Sequence, residues 1–212
     1  MKGRVMRGRV MGEHGGVRGG LVAAALRRAG WRAAFGLSGG LEVTGPAPDG
    51  PCVIVANHAS HADTAALLAA LPARRRPVVA AAADYWFAGR FRSFVCRTAV
   101  AGFPVRRSRG GFGDLAAAAA QLARGRCVIV FPEGTRSRDG TVGEFRGGAA
   151  RLADLAGVPL VPAGLTGTRD LLGVHGRLRR TRVRVSFGAP THEPAEARRT
   201  VQDLVDATHG RG

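Results

Sequence analysis

A chain of 212 residues with 45% apolar content is long enough to bury one sizeable core, which favours a single domain. Its 32 basic residues outnumber 15 acidic ones, a formal charge of +17 carried almost wholly by arginine, with Lys2 the only lysine. That balance suits a phosphate-rich partner, whether nucleic acid, an anionic membrane surface or an acidic substrate, and does not choose among them. Cys52, Cys96 and Cys127 lack the paired spacing of a zinc site or disulfide framework, which points to a reducing compartment. No apolar run reaches the roughly 18–20 residues of a membrane-spanning helix, and the basic, glycine-rich start lacks the pattern of a secretory signal.

Residues 1–16 read as a disordered basic tail. Residues 21–37, "LVAAALRRAGWRAAFGL", predict a helix, with Trp31 and Phe35 four apart beside Arg28 and Arg32. Residues 17–37 therefore suit an interfacial helix with its indole at headgroup depth, and equally a helix packed on its own domain. "EVTGPAPDGP" reads as a turn-rich lead-in to the strand "CVIVA", residues 52–56. A helix is expected over about 61–71, stopped by Pro72, and then a strand in "RRRPVVAAAA". "ADYWFAGRFRSFV" reads as helical and "AGFPVRR" as a short strand or turn. An alanine-rich helix over 111–124 ends at Gly125, and "CVIVF", residues 127–131, lacks alternation and predicts a strand covered on both faces. A helix over 147–156 leads into "VPLVPAGL", a half-exposed strand spans 182–188, and a helix over 195–207 closes the chain. Strands alternating with helices predict an α/β domain over residues 40–209, with a largely parallel or mixed sheet flanked by helices.

The chemistry-bearing residues cluster at strand ends. His58 directly follows the first apolar strand, and Asp63 lies five residues on. In one continuous helix the two would stand about 140° apart, but with a turn between them the carboxylate can hold one imidazole nitrogen and free the other to take a proton. Ser60 and Asp63 also fit a capping box, which by itself accounts for the aspartate, and His61 competes for either role. "VIVFPEGTRS" runs a strand into the polar turn of Glu133, Gly134, Thr135 and Arg136. There glycine admits close backbone approach and arginine can fork onto a phosphate, whereas a purely structural turn would pair Glu133 with Arg136. Arg106 and Arg107 end "GFPVRR", and as strand neighbours they point to opposite faces.

Four ordered segments, "NHASHAD", "GFPVRR", "FPEGTRS" and "VPLVPAG", together resemble the blocks of the glycerolipid acyltransferases, closest to the 1-acyl-glycerol-3-phosphate (lysophosphatidic acid) branch. The resemblance runs over about residues 40–188 and implies an enzyme moving a fatty acyl group from acyl-CoA or acyl carrier protein to a lysophospholipid hydroxyl, giving phosphatidic acid. It implies His58 as general base with Asp63 orienting it, Arg107 (or Arg106) on the acceptor phosphate, and Glu133, Gly134, Thr135 and Arg136 shaping the acceptor site. It further implies peripheral or monotopic association with the cytoplasmic face of an anionic cell membrane, with no permanently bound cofactor, no metal and no acyl-enzyme. Two departures stand out: a shorter N-terminal region than is common, and Arg146 where a lysine is usual. The alternatives are an acyltransferase for another lysolipid or an amino or hydroxy lipid, a hydrolase using the same His58–Asp63 pair, and a basic nucleic-acid-binding protein. The scattered arginines and the lack of a stacking platform count against nucleic acid, and the lack of a G-x-S-x-G elbow against the hydrolase.

Overall fold

The computed structural model describes residues 20–106, 112–137, 140–172 and 179–209. The basic tail of residues 1–16, the first three residues of the expected 17–37 helix and Arg107 lie outside them. Helix α1 (Leu21–Leu37) is followed by the short strand β1 (Leu41–Thr44), and β2 (Cys52–Ala56) leads to α2 (Ala62–Ala70). Then come β3 (Val78–Ala82), α3 (Ala83–Trp86), α4 (Arg90–Thr98), β4 (Gly102–Val105), α5 (Phe112–Ala123) and β5 (Cys127–Val130). The chain closes with α6 (Gly148–Ala156), β6 (Leu160–Thr166), α7 (Thr168–Leu171), β7 (Val183–Phe187) and α8 (Pro194–His209). Among the described residues the strands form one seven-stranded sheet in the order β1-β7-β6-β2-β5-β3-β4. All pairings are parallel except β6 with β7.

Strand β2 is buried along its whole length, as its unbroken β-branched run requires. Period-two alternation sends Cys52, Ile54 and Ala56 to one core, under α1 and α2, and Val53 and Val55 to the other, under α5 and α6. Helix α2 ends where Leu71, extended ahead of Pro72, leaves the helical region. Gly157, at a positive φ, closes α6 with a left-handed cap. Cys52 and Cys127 sit as buried free thiols at paired positions of β2 and β5.

Three expectations need correction. The lead-in to β2 contains a strand, β1, because "LEVT" pairs in register with β7, a partner 142 residues away that leaves no local signal. At its end Gly45 lies where a Cβ would fall 2.0 Å from the Phe187 carbonyl oxygen, so that position needs glycine. The aromatic and basic segment forms two short helices broken between Trp86 and Arg90 rather than one. Strand β7 is mostly covered, with only Arg184 half-exposed along an otherwise buried run, since Ser186 turns inward and accepts a hydrogen bond from Thr44 Oγ1.

Candidate active site

The site grows from the place where β2 stops. Asn57, buried, donates through Nδ2 to the Leu165 carbonyl and accepts the Leu165 amide at Oδ1, at 3.0 and 2.8 Å. Its side chain thus imitates one more rung of the β2–β6 ladder while the backbone turns away. His58 is carried out over the sheet edge and its ring stacks on Phe131, centroids 4.2 Å apart.

Asp63 holds this turn through a single oxygen. Its Oδ2 lies 2.8 Å from His58 Nδ1 and accepts the backbone amides of Ala59 and Ser60, each at 2.7 Å. Ser60 Oγ in turn accepts the Ala62 amide. Only the carboxylate half of the expected capping box forms: Asp63 accepts the Ser60 amide, but its own amide donates to the Ser60 carbonyl and His61 is the helix cap. That half shares Oδ2 with the histidine contact, so the two readings of Asp63 do not exclude each other. Because an ionised carboxylate only accepts, His58 donates from Nδ1, leaving a lone pair on Nε2. The Ala59 and Ser60 amides, already engaged with Asp63, are not free to steady a developing oxyanion. His61 does not compete for Asp63; it is exposed, beside Tyr85 and Trp86, and desolvation with a smaller push from Arg136 lowers its pKa.

Glu133 forms no ion pair with Arg136. Its Oε1 accepts the His58 backbone amide at 2.8 Å and its Oε2 the Gly143 amide at 3.1 Å, so both oxygens brace backbone. Burial raises its pKa, opposed by those two hydrogen bonds. The Ser137 amide adds a second tie, 2.7 Å to the His58 carbonyl. Gly134 has φ +74, and a Cβ there would fall 2.9 Å from the Arg146 guanidinium. Arg146 thus lies directly on the turn, a role its sequence position signals only as a departure from the usual lysine. Asn57 likewise carries no signal of its strand-capping role beyond its place in "NHASHAD".

His58 lines a cavity of about 1350 Å³, as do Arg106, Gly134, Thr135, Arg136 and Arg146. Arg106 is tied to Asp114, Nε to Oδ2 at 2.9 Å, so part of its charge is compensated. The cavity opens where β3 and β5 part: they pair only at Val78–Val128 and Val79–Ile129. Its walls consequently come from both faces of the sheet, with Phe35 and Leu68 on one and Leu115, Ala118 and Leu152 on the other. The arrangement can hold long apolar groups on either side of an oriented imidazole, with arginines near the crest.

Among known proteins, the acyltransferase family matches residues 40–166. The 1-acyl-sn-glycerol-3-phosphate acyltransferase BAT2 of Brassica napus is 32% identical over 69% of this chain and 42% of its own length. The alpha enzyme of the same description from Homo sapiens is 34% identical over 58% of this chain and 43% of its own. This chain therefore spans about two fifths of those relatives. The crystal structure of the 1-acyl-sn-glycerophosphate (LPA) acyltransferase PlsC from Thermotoga maritima superposes with a TM-score of 0.68 and 26% identity, over 89% of this chain and 78% of that one. Fold, ordered segments and matched length agree, and the chain belongs to the acyltransferase family.

Proposed function

We propose that this protein transfers a fatty acyl group from acyl-CoA or acyl carrier protein to the free hydroxyl of 1-acyl-glycerol-3-phosphate, giving phosphatidic acid. The 2.8 Å contact of His58 Nδ1 with Asp63 at the crest of the apolar cavity carries this reading. His58 Nε2 removes the hydroxyl proton as the oxygen attacks the thioester carbonyl, and the tetrahedral intermediate collapses with loss of the thiolate. The imidazolium returns its proton to that sulfur. Asp63 fixes the tautomer and steadies the imidazolium. A thioester already carries a good leaving group, so direct transfer requires no acyl-enzyme.

The two apolar walls suit the two alkyl chains that donor and acceptor bring together. Arg136 and Arg146 receive the acceptor phosphate together with Arg107, while Arg106, held by Asp114, is the weaker candidate. With those substrates the protein would work peripherally or monotopically at the cytoplasmic face of an anionic membrane. Among the described residues no helix is long and apolar enough to cross one.

The test is His58→Ala with an acyl thioester and lysophosphatidic acid. Turnover should fall about 100- to 10,000-fold, the worth of a general base, with the melting profile kept. A folded variant with near wild-type turnover would refute the assignment, and a phosphate-free acceptor outperforming lysophosphatidic acid would overturn the substrate.

A further inference from the structure

Of the two readings of residues 17–37, a membrane-interfacial helix and a helix packed on its own domain, the Trp31 and Phe35 side chains of α1 follow the second. Phe35 is buried, and Trp31 Nε1 donates to the Ala99 carbonyl at 3.0 Å. Arg27 Nε donates to the Thr98 carbonyl at 2.8 Å, fixing α1 to the end of α4.

Exposed aliphatic side chains remain on α1, at Leu21, Val22, Leu26 and Leu37, and the exposed aromatic pair lies on α4. Phe91 and Phe94, three residues apart and so on one helix face, are 79% and 65% exposed, while Cys96 on the opposite side is fully buried. Val95 beside them, and Tyr85 and Trp86 of α3, line the cavity. Phe91 and Phe94 do not. Residues 85–98 contain Arg90, Arg92 and Arg97 and no carboxylate. Two of these cations are set by aromatic rings, with Arg92 5.3 Å from the Tyr85 centroid and Arg97 5.5 Å from that of Phe87. Exposed phenylalanines fringed by arginines match the chemistry of a bilayer surface, apolar at the acyl boundary and anionic at the headgroups.

We propose that α4 is a membrane-docking element: Phe91 and Phe94 insert at the headgroup–acyl boundary of an anionic bilayer, and Arg90, Arg92 and Arg97 meet the lipid phosphates. This places the Tyr85/Trp86/Val95 wall of the cavity against the leaflet from which an acyl-chain substrate would enter, and in that respect it rests on the lipid acyltransferase reading. An acidic protein would satisfy the arginines but leave two protruding phenylalanines without an apolar bed, so the bilayer is the better fit.

The full chain is sedimented with vesicles of phosphatidylcholine alone and of phosphatidylcholine with phosphatidylglycerol, at low and high salt. Wild type should bind the anionic vesicles and weaken as salt rises. Phe91→Ser/Phe94→Ser should lower that binding about tenfold or more with an unchanged melting profile. Arg90→Gln should lower only the salt-sensitive part. The double variant should keep wild-type transfer to a dispersed short-chain acceptor and lose it with acceptor embedded in vesicles. Wild-type vesicle binding by a folded Phe91→Ser/Phe94→Ser variant would overturn the proposal. So would wild type that ignores vesicles and captures acyl carrier protein through the same residues. Phenylalanine-dependent vesicle binding without acyl transfer to any acceptor would sink the proposed reaction and leave the docking element standing.

Discussion

Asp63 is wholly buried, and Oδ2 serves the imidazole and two backbone amides while Oδ1 has no hydrogen-bond partner among the described residues. Removing its charge should therefore affect the turn and the imidazole together. Asp63→Asn should lose most of its turnover and also about 1–2 kcal/mol of stability, because a neutral amide oxygen accepts three donors poorly. Kinetics alongside denaturant melts check this; loss of only one property would separate the two roles that the geometry joins. Glu133 makes a different prediction. Its folded pKa is raised from the ordinary 4.5, chiefly by burial, so in the window above 4.5 the folded protein holds a proton that the unfolded chain has released. Wild type should then lose stability relative to Glu133→Gln as pH rises through that window. Because the hydrogen-bond penalty of the amide is nearly constant, the slope of the difference is the measurement, and a flat difference contradicts the burial argument. Arg146→Ala should raise KM for a phosphate-bearing acceptor several-fold while leaving donor KM nearly unchanged. Arg146→Lys should recover only part, since a point charge lacks the guanidinium fork. Separate titrations of the two substrates distinguish these effects.

At the scale of elements, α1 is joined to α4 by two side-chain donors to backbone, Arg27 to Thr98 and Trp31 to Ala99. Trp31→Phe keeps most of the apolar contact and loses one hydrogen bond, so it should cost about 1 kcal/mol. Vesicle binding, assigned here to Phe91 and Phe94, should survive that change, which sedimentation checks. Elements whose signal is local were legible in the sequence. The buried strands β2 and β5 announce themselves by unbroken β-branched runs, and α2, α5 and α6 by their stops at Pro72, Gly125 and Gly157. The four residues of β1 carry no such signal, because their pairing partner lies beyond most of the chain. His58 with Asp63 was legible because five residues and a turn can be reasoned locally. Arg146 resting on Gly134, and Glu133 bracing the His58 amide, depend on the folded course of loops between β2, β5 and α6. The outward face of α4 was unreadable for a related reason: periodicity groups Phe91 with Phe94 but cannot say whether another element covers them.

For the molecule as a whole, the sheet order puts β7 between β1 and β6. The segment matched by the family, residues 40–166, thus includes β1 but not the strand on which it lies. A chain cut after residue 166 also removes α8, whose Leu204 presses on Gly164 of β6. It should fail to unfold as one cooperative unit, a result that calorimetry or denaturant titration would register. The same interleaving sets an order of events during synthesis. Residues 41–44 emerge early and, although Leu41 packs on the core under α1 and α2, have no strand partner until 183–187 follow. Such distant parallel pairing is slow because the intervening loop must close before the contact forms. Nascent chains arrested before residue 183 should stay open to protease around 41–44 although β2, β5 and the His58 turn have all been made. The last-made strand seats the first, so completion of the sheet is timed by its C-terminal end and not by the appearance of the segments that carry His58 and Glu133.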